Sequence, residues 1–214
     1  MRLKEDFLAQ TALILIDWQK AFSNLDYWGR RNNPEAEANA ERLLAHWRRR
    51  GWPIIHVKHN STVPGSLLHP DHAGNAFADF AIPREGESVY EKSVNSAFIE
   101  TSLENDLRSR RINHLIFCGV TSDHCVNTTA RMAGNLGFEV TLAGDACYTF
   151  DRKLPNGVVY AAQLVHEVGL ASLNGEFANI AKTSDFIDHK PRPVSDIRGS
   201  LRGTPPSTRR GTSS

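Results

Sequence analysis

Leu115-Ile116-Phe117-Cys118-Gly119-Val120-Thr121-Ser122-Asp123-His124-Cys125-Val126-Asn127-Thr128-Thr129-Ala130 is the stretch whose reading decides the fold. It opens as a short apolar run, the pattern of a buried strand, and Gly119 ends that run. Thr121, Ser122 and Asp123 are good helix N-caps. Beyond them Val126, Ala130, Ala133 and Leu136 recur at helical spacing, and Gly137 is a natural stop. The spacing predicts a strand, a tight turn, and a helix whose first turn carries Cys125. Free N–H groups and the helix dipole favour an anion at such a place. A thiol there is therefore expected to titrate below its usual value of about 8.5 and to be a nucleophile.

Working outward, Thr11 to Asp17 is a continuous apolar run ending in a carboxylate, as suits a strand covered on both faces. Ala36, Ala40, Leu43, Leu44 and Trp47 keep helical spacing between Pro34 and Arg50, with Gly51 as the stop. Ile54 to Val57 reads as a strand. Residues Asn60 to Arg84 show little periodicity, and so long a loop in a compact domain is usually functional, a wall or lid over a site. Ser88 to Lys92 is a short strand ending on lysine, and Ile99 to Arg110 a helix with Leu103 and Leu107 inward. Glu139 to Ala143 is a strand followed by Gly144-Asp145-Ala146. Val158 to Val168 has a helical pattern, with Val159, Ala162, Leu164 and Val165 available to the core. A short strand near Asn179 to Lys182 and a helix over Thr183 to Ile187 follow. From residue 190 to 214 Pro, Arg, Ser, Gly and Thr dominate, which predicts a flexible tail behind a domain spanning residues 1–189.

The chain has 214 residues, with 25 Lys and Arg against 24 Asp and Glu, so no nucleic-acid surface or polybasic membrane patch is indicated. Its three cysteines, Cys118, Cys125 and Cys147, are an odd number without CxxC spacing. That points to a reducing, cytoplasmic setting with no disulfide framework. No signal peptide or transmembrane helix is expected.

Strands alternating with helices give an α/β fold with a mostly parallel, Rossmann-like sheet. In such sheets the site lies beyond the carboxyl ends of the strands, where strand order reverses. Asp17, Lys92 and Cys125 all stand at such ends. If the first and fourth strands are neighbours, the three converge. A carboxylate beside a thiol can take its proton, and a lysine balances both negative charges. A thiolate so made attacks a carbonyl carbon to give an acyl-enzyme, with backbone N–H groups holding the oxyanion.

The segments TALILIDWQKAF, EKSVNSAF and CGVTSDHCVNTTARMAGNLGFEV together resemble the isochorismatase-like cysteine hydrolases, over roughly residues 8 to 188. The resemblance implies a three-layer α/β/α fold with a six-stranded parallel sheet and helices on both faces. It implies a triad of Cys125 as nucleophile, Asp17 as general base and Lys92 as supporting cation. It further implies a cis peptide between Val120 and Thr121, an oxyanion hole at the Thr121 and Cys125 N–H groups, no cofactor, and a homodimer or homotetramer. The activity implied is cleavage of a small amide, imide or ureide through a thioester.

Two departures bear on the substrate. Nicotinamidases of this superfamily carry Asp-x-His after the second strand and bind a metal there, whereas this chain has Val57-Lys58-His59. No metal is therefore expected, unless His59, His69, Asp71 and His72 form a rearranged site. Isochorismatases proper cleave a vinyl ether without a cysteine nucleophile, so Cys125 favours carbon–nitrogen cleavage over that alternative. Trp18, Phe22, Asn95, Phe98, His124 and Phe150 follow strand ends or the lysine motif and are candidate substrate-lining residues. Two readings from other classes compete. A dinucleotide-binding domain is disfavoured because Asp17-Trp18-Gln19-Lys20 replaces GxGxxG. A thiol sensor or scaffold lacks a resolving cysteine at short spacing.

Overall fold

A computed structural model describes residues 10–187; the expected 190–214 tail lies outside the described residues. In chain order the elements are β1 (Thr11–Ile16), α1 (Leu25–Trp28), α2 (Ala36–Arg50), β2 (Ile54–His59), β3 (Ser88–Lys92), α3 (Leu103–Ser109) and β4 (His114–Val120). There follow α4 (Cys125–Asn135), β5 (Glu139–Tyr148), β6 (Arg152–Lys153), β7 (Val159–Tyr160), α5 (Ala162–Leu173), β8 (Asn179–Ala181) and α6 (Thr183–Ile187). Six strands form one parallel sheet in the order β3-β2-β1-β4-β5-β8. The strand order reverses between β1 and β4, which pair from Thr11↔His114 to Ile16↔Gly119. Every residue of β1 is buried, as expected of a central parallel strand between two helical layers.

β4 and β5 are longer than their apolar runs. Gly119 continues β4 because its lack of a side chain permits a close approach: a Cβ there would stand 2.2 Å from the Ile16 carbonyl oxygen. A register shift between Phe117 and Gly119 then lets β5 run on through Gly144 and Asp145, pairing Cys147 and Tyr148 with Gly119 and Val120. Asp145 is accommodated because its Oδ1 accepts the backbone N–H and hydroxyl of Thr183 at 2.7 and 2.9 Å.

Two helices begin later than their patterns suggested. At α3, Glu100 takes a positive φ of 58° and the Thr101 hydroxyl donates to the Ala97 carbonyl, so the chain turns before Leu103. The β-branched and aromatic residues Val158-Val159-Tyr160 do not join α5. They return on Arg152-Lys153 as an antiparallel hairpin, Arg152↔Tyr160 and Lys153↔Val159. The helix starts at Ala162, whose N–H donates to Asp151 Oδ1 at 2.7 Å. Ala162 is buried as expected, but Val159 and Leu164 are exposed.

Glu87 ties the long loop to the sheet, accepting from Arg48 Nε at 2.7 Å and lying 2.8 Å from His56 Nε2. Burial would raise its carboxyl, but hydrogen bonds from Arg48, the Arg84 amide and His56 outweigh burial and hold it at about 2. Asp123 is likewise held at about 2, with Arg152 and Thr149 overcoming burial. Both carboxyls thus stabilise the fold fully above their ordinary values of 4.5 and 3.8, and lose that contribution as pH falls toward about 2. The thermal midpoint should fall steeply across that window. Glu87→Gln should lower the midpoint at neutral pH and flatten the acid loss, as read by calorimetry; an unchanged acid profile would remove Glu87 from the account.

Candidate active site

The carboxyl ends of β1, β3 and β4 bring the three chemically useful side chains together. Asp17 leaves β1 at φ 54°, a left-handed conformation that aspartate tolerates better than most residues. Lys92 is the last residue of β3, and Cys125 is the first of α4. Lys92 Nζ donates to Asp17 Oδ2 at 2.7 Å, and both side chains are fully buried. Asp17 Oδ1 is also buried and has no hydrogen-bond partner among the described residues. An orphaned carboxylate oxygen in a buried place is costly unless a function uses it. Ligand atoms of Asp17, His59 and Cys125 lie within 4.8 Å of one another.

The resting state of the thiol differs from expectation. Burial first, and the Asp17 charge second, push the Cys125 thiol up; the Lys92 charge pulls it down but does not prevail. Cys125 therefore rests as a thiol beside a carboxylate, where a helix start in water would favour the thiolate. Lys92 is raised: burial opposes its charge, but Asp17 and Cys125 outweigh burial. His59 is lowered, by burial and then by the Lys92 charge.

The turn before Cys125 has the Val120–Thr121 peptide in cis. Its side chains do not cap the helix as their residue types suggested. The N-cap is His124, which makes no side-chain cap bond. Thr121, Ser122 and Asp123 are instead held from outside. Ser122 Oγ lies 2.8 Å from Nδ1 of the buried His166. Arg152 donates Nε to Asp123 Oδ2 at 2.6 Å and Nη2 to Asp123 Oδ1 at 3.0 Å, and its Nη2 also reaches Thr121 Oγ1 at 3.4 Å. Thr149 donates to Asp123 as well. Reading the sequence missed Arg152, Thr149 and His166, because each comes from a segment remote in the chain and carries no local motif.

Among the candidate lining residues, Asn95 comes to Cys125, with its Oδ1 3.6 Å from Cys125 Sγ. His124 is exposed and lies 3.4 Å from Asp123. Trp18, Phe22 and Phe150 are buried in one aromatic cluster with Trp28, Tyr148 and Phe80, with ring centroids 5.0–6.4 Å apart. Phe98 lies elsewhere, stacked on Phe138 at 5.8 Å.

Among the described residues the donors expected of a rearranged metal site form no cluster of three; only His69 Nδ1 and Asp71 Oδ2 approach, at 3.6 Å. His72 Nδ1 accepts the Gly74 N–H at 2.9 Å and His69 Nδ1 the Asp71 N–H at 3.3 Å, each within its own turn. Val57, at the position of the nicotinamidase aspartate, is a buried strand residue that cannot coordinate. Asp17, His59 and Cys125 form the one candidate cluster among the described residues, and Lys92 Nζ is already bonded to two of its members. A second cation there would meet an ammonium within bonding distance of its ligands, so the residues do not fit a resident metal.

The chain belongs to the isochorismatase family of hydrolases: the family model described as the Isochorismatase domain matches residues 11–185. It is 42% identical over 177 residues to the uncharacterized isochorismatase family protein YrdC of Bacillus subtilis, covering 83% of this chain and 94% of that one. It is 34% identical over 143 residues to a streptothricin hydrolase of Streptomyces noursei, covering 65% of this chain and 50% of that protein. Among solved structures, an isochorismatase-family protein from Chromobacterium violaceum superposes with a TM-score of 0.79 at 44% identity, over 83% of this chain and 91% of that one.

Proposed function

We propose that this protein hydrolyses a carbon–nitrogen bond in a small amide, imide or ureide through a thioester acyl-enzyme, with Asp17, Lys92 and Cys125 as the catalytic residues. The observation that carries this reading is the buried Lys92–Asp17 pair, its carboxylate within 4.8 Å of a thiol that rests protonated. Asp17 takes the Cys125 proton as Sγ bonds to the substrate carbonyl carbon. The charge that develops on the carbonyl oxygen falls to the Thr121 and Cys125 N–H groups. Asp17 returns its proton to the nitrogen as the carbon–nitrogen bond breaks. Water, deprotonated by Asp17, then cleaves the thioester to the acid and restores the thiol. Asn95 and His124 are the proposed polar contacts to substrate, whereas Trp18, Phe22 and Phe150 are packed into the core. Ureidoacrylate amidohydrolase among the relatives supports the bond type by its name.

The test is a hydrolysis screen over small amides, ureides and imides, read by ammonia release or, for imides, by the carboxylic acid formed, with intact-mass detection of an acyl adduct on Cys125. A panel wholly without turnover or adduct would count against the reading. Prolonged chelation should leave the rate on the best substrate unchanged; loss on chelation and recovery with a single divalent metal would overturn the metal-free mechanism. We also read the protein as acting in a reducing compartment, on its three free cysteines, and as a homodimer or homotetramer, on the exposed apolar residues Val158, Val159, Leu164 and Val168. Among the described residues no helix is long and apolar enough to cross a membrane.

A further inference from the structure

His59 ends β2 at the site, and its backbone is clamped more firmly than a strand end requires. The buried amide of Gln19 bonds it twice: Gln19 Oε1 accepts the His59 N–H at 2.8 Å, and Gln19 Nε2 donates to the His59 carbonyl at 3.0 Å. Asn75, also buried, donates Nδ2 to the same carbonyl at 3.1 Å. The imidazole so fixed lies with Nδ1 3.0 Å from Lys92 Nζ. An ammonium has only donors, so Nδ1 accepts and the ring is the neutral tautomer with its proton on Nε2.

Lys92 Nζ therefore has two fixed acceptors on different strands, Asp17 Oδ2 and His59 Nδ1. With Asp17 alone, the ammonium would be free to swing around the carboxylate, and its distance from the thiol would vary. With both, its position toward Cys125 is determined. From this geometry we infer that His59 is a positioning residue, which holds the Lys92 ammonium where it stabilises the Cys125 thiolate. The inference rests on the triad proposed above, and assigns to His59 a role other than metal binding.

The test uses the full chain and iodoacetamide as the probe of Cys125, read by peptide mass at neutral pH. His59→Phe keeps a ring but no acceptor, and His59→Leu is a second such variant should the first fold poorly. His59→Asn places an amide oxygen close to the position of Nδ1 without the rest of the ring. Loss of the acceptor should slow Cys125 alkylation about tenfold, equivalent to one pKa unit in the thiol, and His59→Asn should restore most of the rate. In a Lys92→Met background, His59→Phe should have no additional effect, because the residue acts through the ammonium. Alkylation of folded His59→Phe or His59→Leu at the normal rate would overturn the inference. So would an undiminished His59→Phe effect in the Lys92→Met background. Failure of the triad is distinguished separately, by ammonia release that survives Cys125→Ala.

Discussion

Cys125→Ala should abolish turnover on any substrate the protein hydrolyses, and Cys125→Ser should come close to doing so, with the fold retained. The thiol is nearly buried, so alanine leaves only a small void at the start of α4. The chemical loss is larger, because no covalent intermediate can form. Serine keeps the shape, but a hydroxyl is a far weaker nucleophile than a thiolate. Iodoacetamide should label Cys125 before Cys118 or Cys147, both of which are fully buried. All three thiols are raised by burial, so access decides the order, and only Cys125 reaches the surface at all. Peptide mapping after brief alkylation checks the order. Preferential labelling of Cys147, with activity surviving Cys125→Ala, would show that the nucleophile has been misassigned.

The alternation of apolar runs with helical patterns made the α/β class legible, and three strand ends carrying Asp17, Lys92 and Cys125 marked the candidate site. For Asp17 this worked because a strand buried on both faces, as β1 is, must be almost wholly apolar, so a charged residue at its end stands out. What the chain concealed depends on contacts distant in sequence. The length of β5 follows from a register shift beside Gly119, which no local pattern encodes. The hairpin of Arg152-Lys153 with Val159-Tyr160 looked helical because its apolar residues run on into those of α5. The state of the thiol was misjudged for the same kind of reason. Position at a helix start argues for a thiolate, but burial and a carboxylate delivered from β1 decide otherwise. The aromatic candidates divide likewise: Trp18, Phe22 and Phe150 meet across long separations, whereas Phe98 turns to Phe138.

That same thiol state sets the size of the second large effect. A cysteine already ionised at rest would gain little from a base, and Asp17→Asn would then be mild. Here burial and the Asp17 charge keep the proton on sulfur, so deprotonation belongs to the reaction and Asp17 is the group placed to accept it. Asp17→Asn retains the shape and a hydrogen-bond acceptor for Lys92, but an amide cannot take the proton. Turnover should fall by about two to four orders of magnitude at neutral pH. The same change removes a negative charge that raises the thiol, so Cys125 alkylation should quicken even as hydrolysis fails. That opposition separates a lost base from a damaged site. Lys92→Met should be comparably harmful to turnover, and with a different signature. It leaves the Asp17 carboxylate buried without its cation, a change that costs about 3–5 kcal/mol when a buried pair is broken. Alkylation should slow, and the thermal midpoint should drop. Lys92 is raised, so its charge and the stability it brings persist below the ordinary lysine value of 10.5 and are lost only as pH rises through the higher folded value. Neutral-pH rates are accordingly insensitive to its titration. Near-normal turnover in Asp17→Asn, or slower alkylation accompanying its loss of hydrolysis, would remove Asp17 from the role of base.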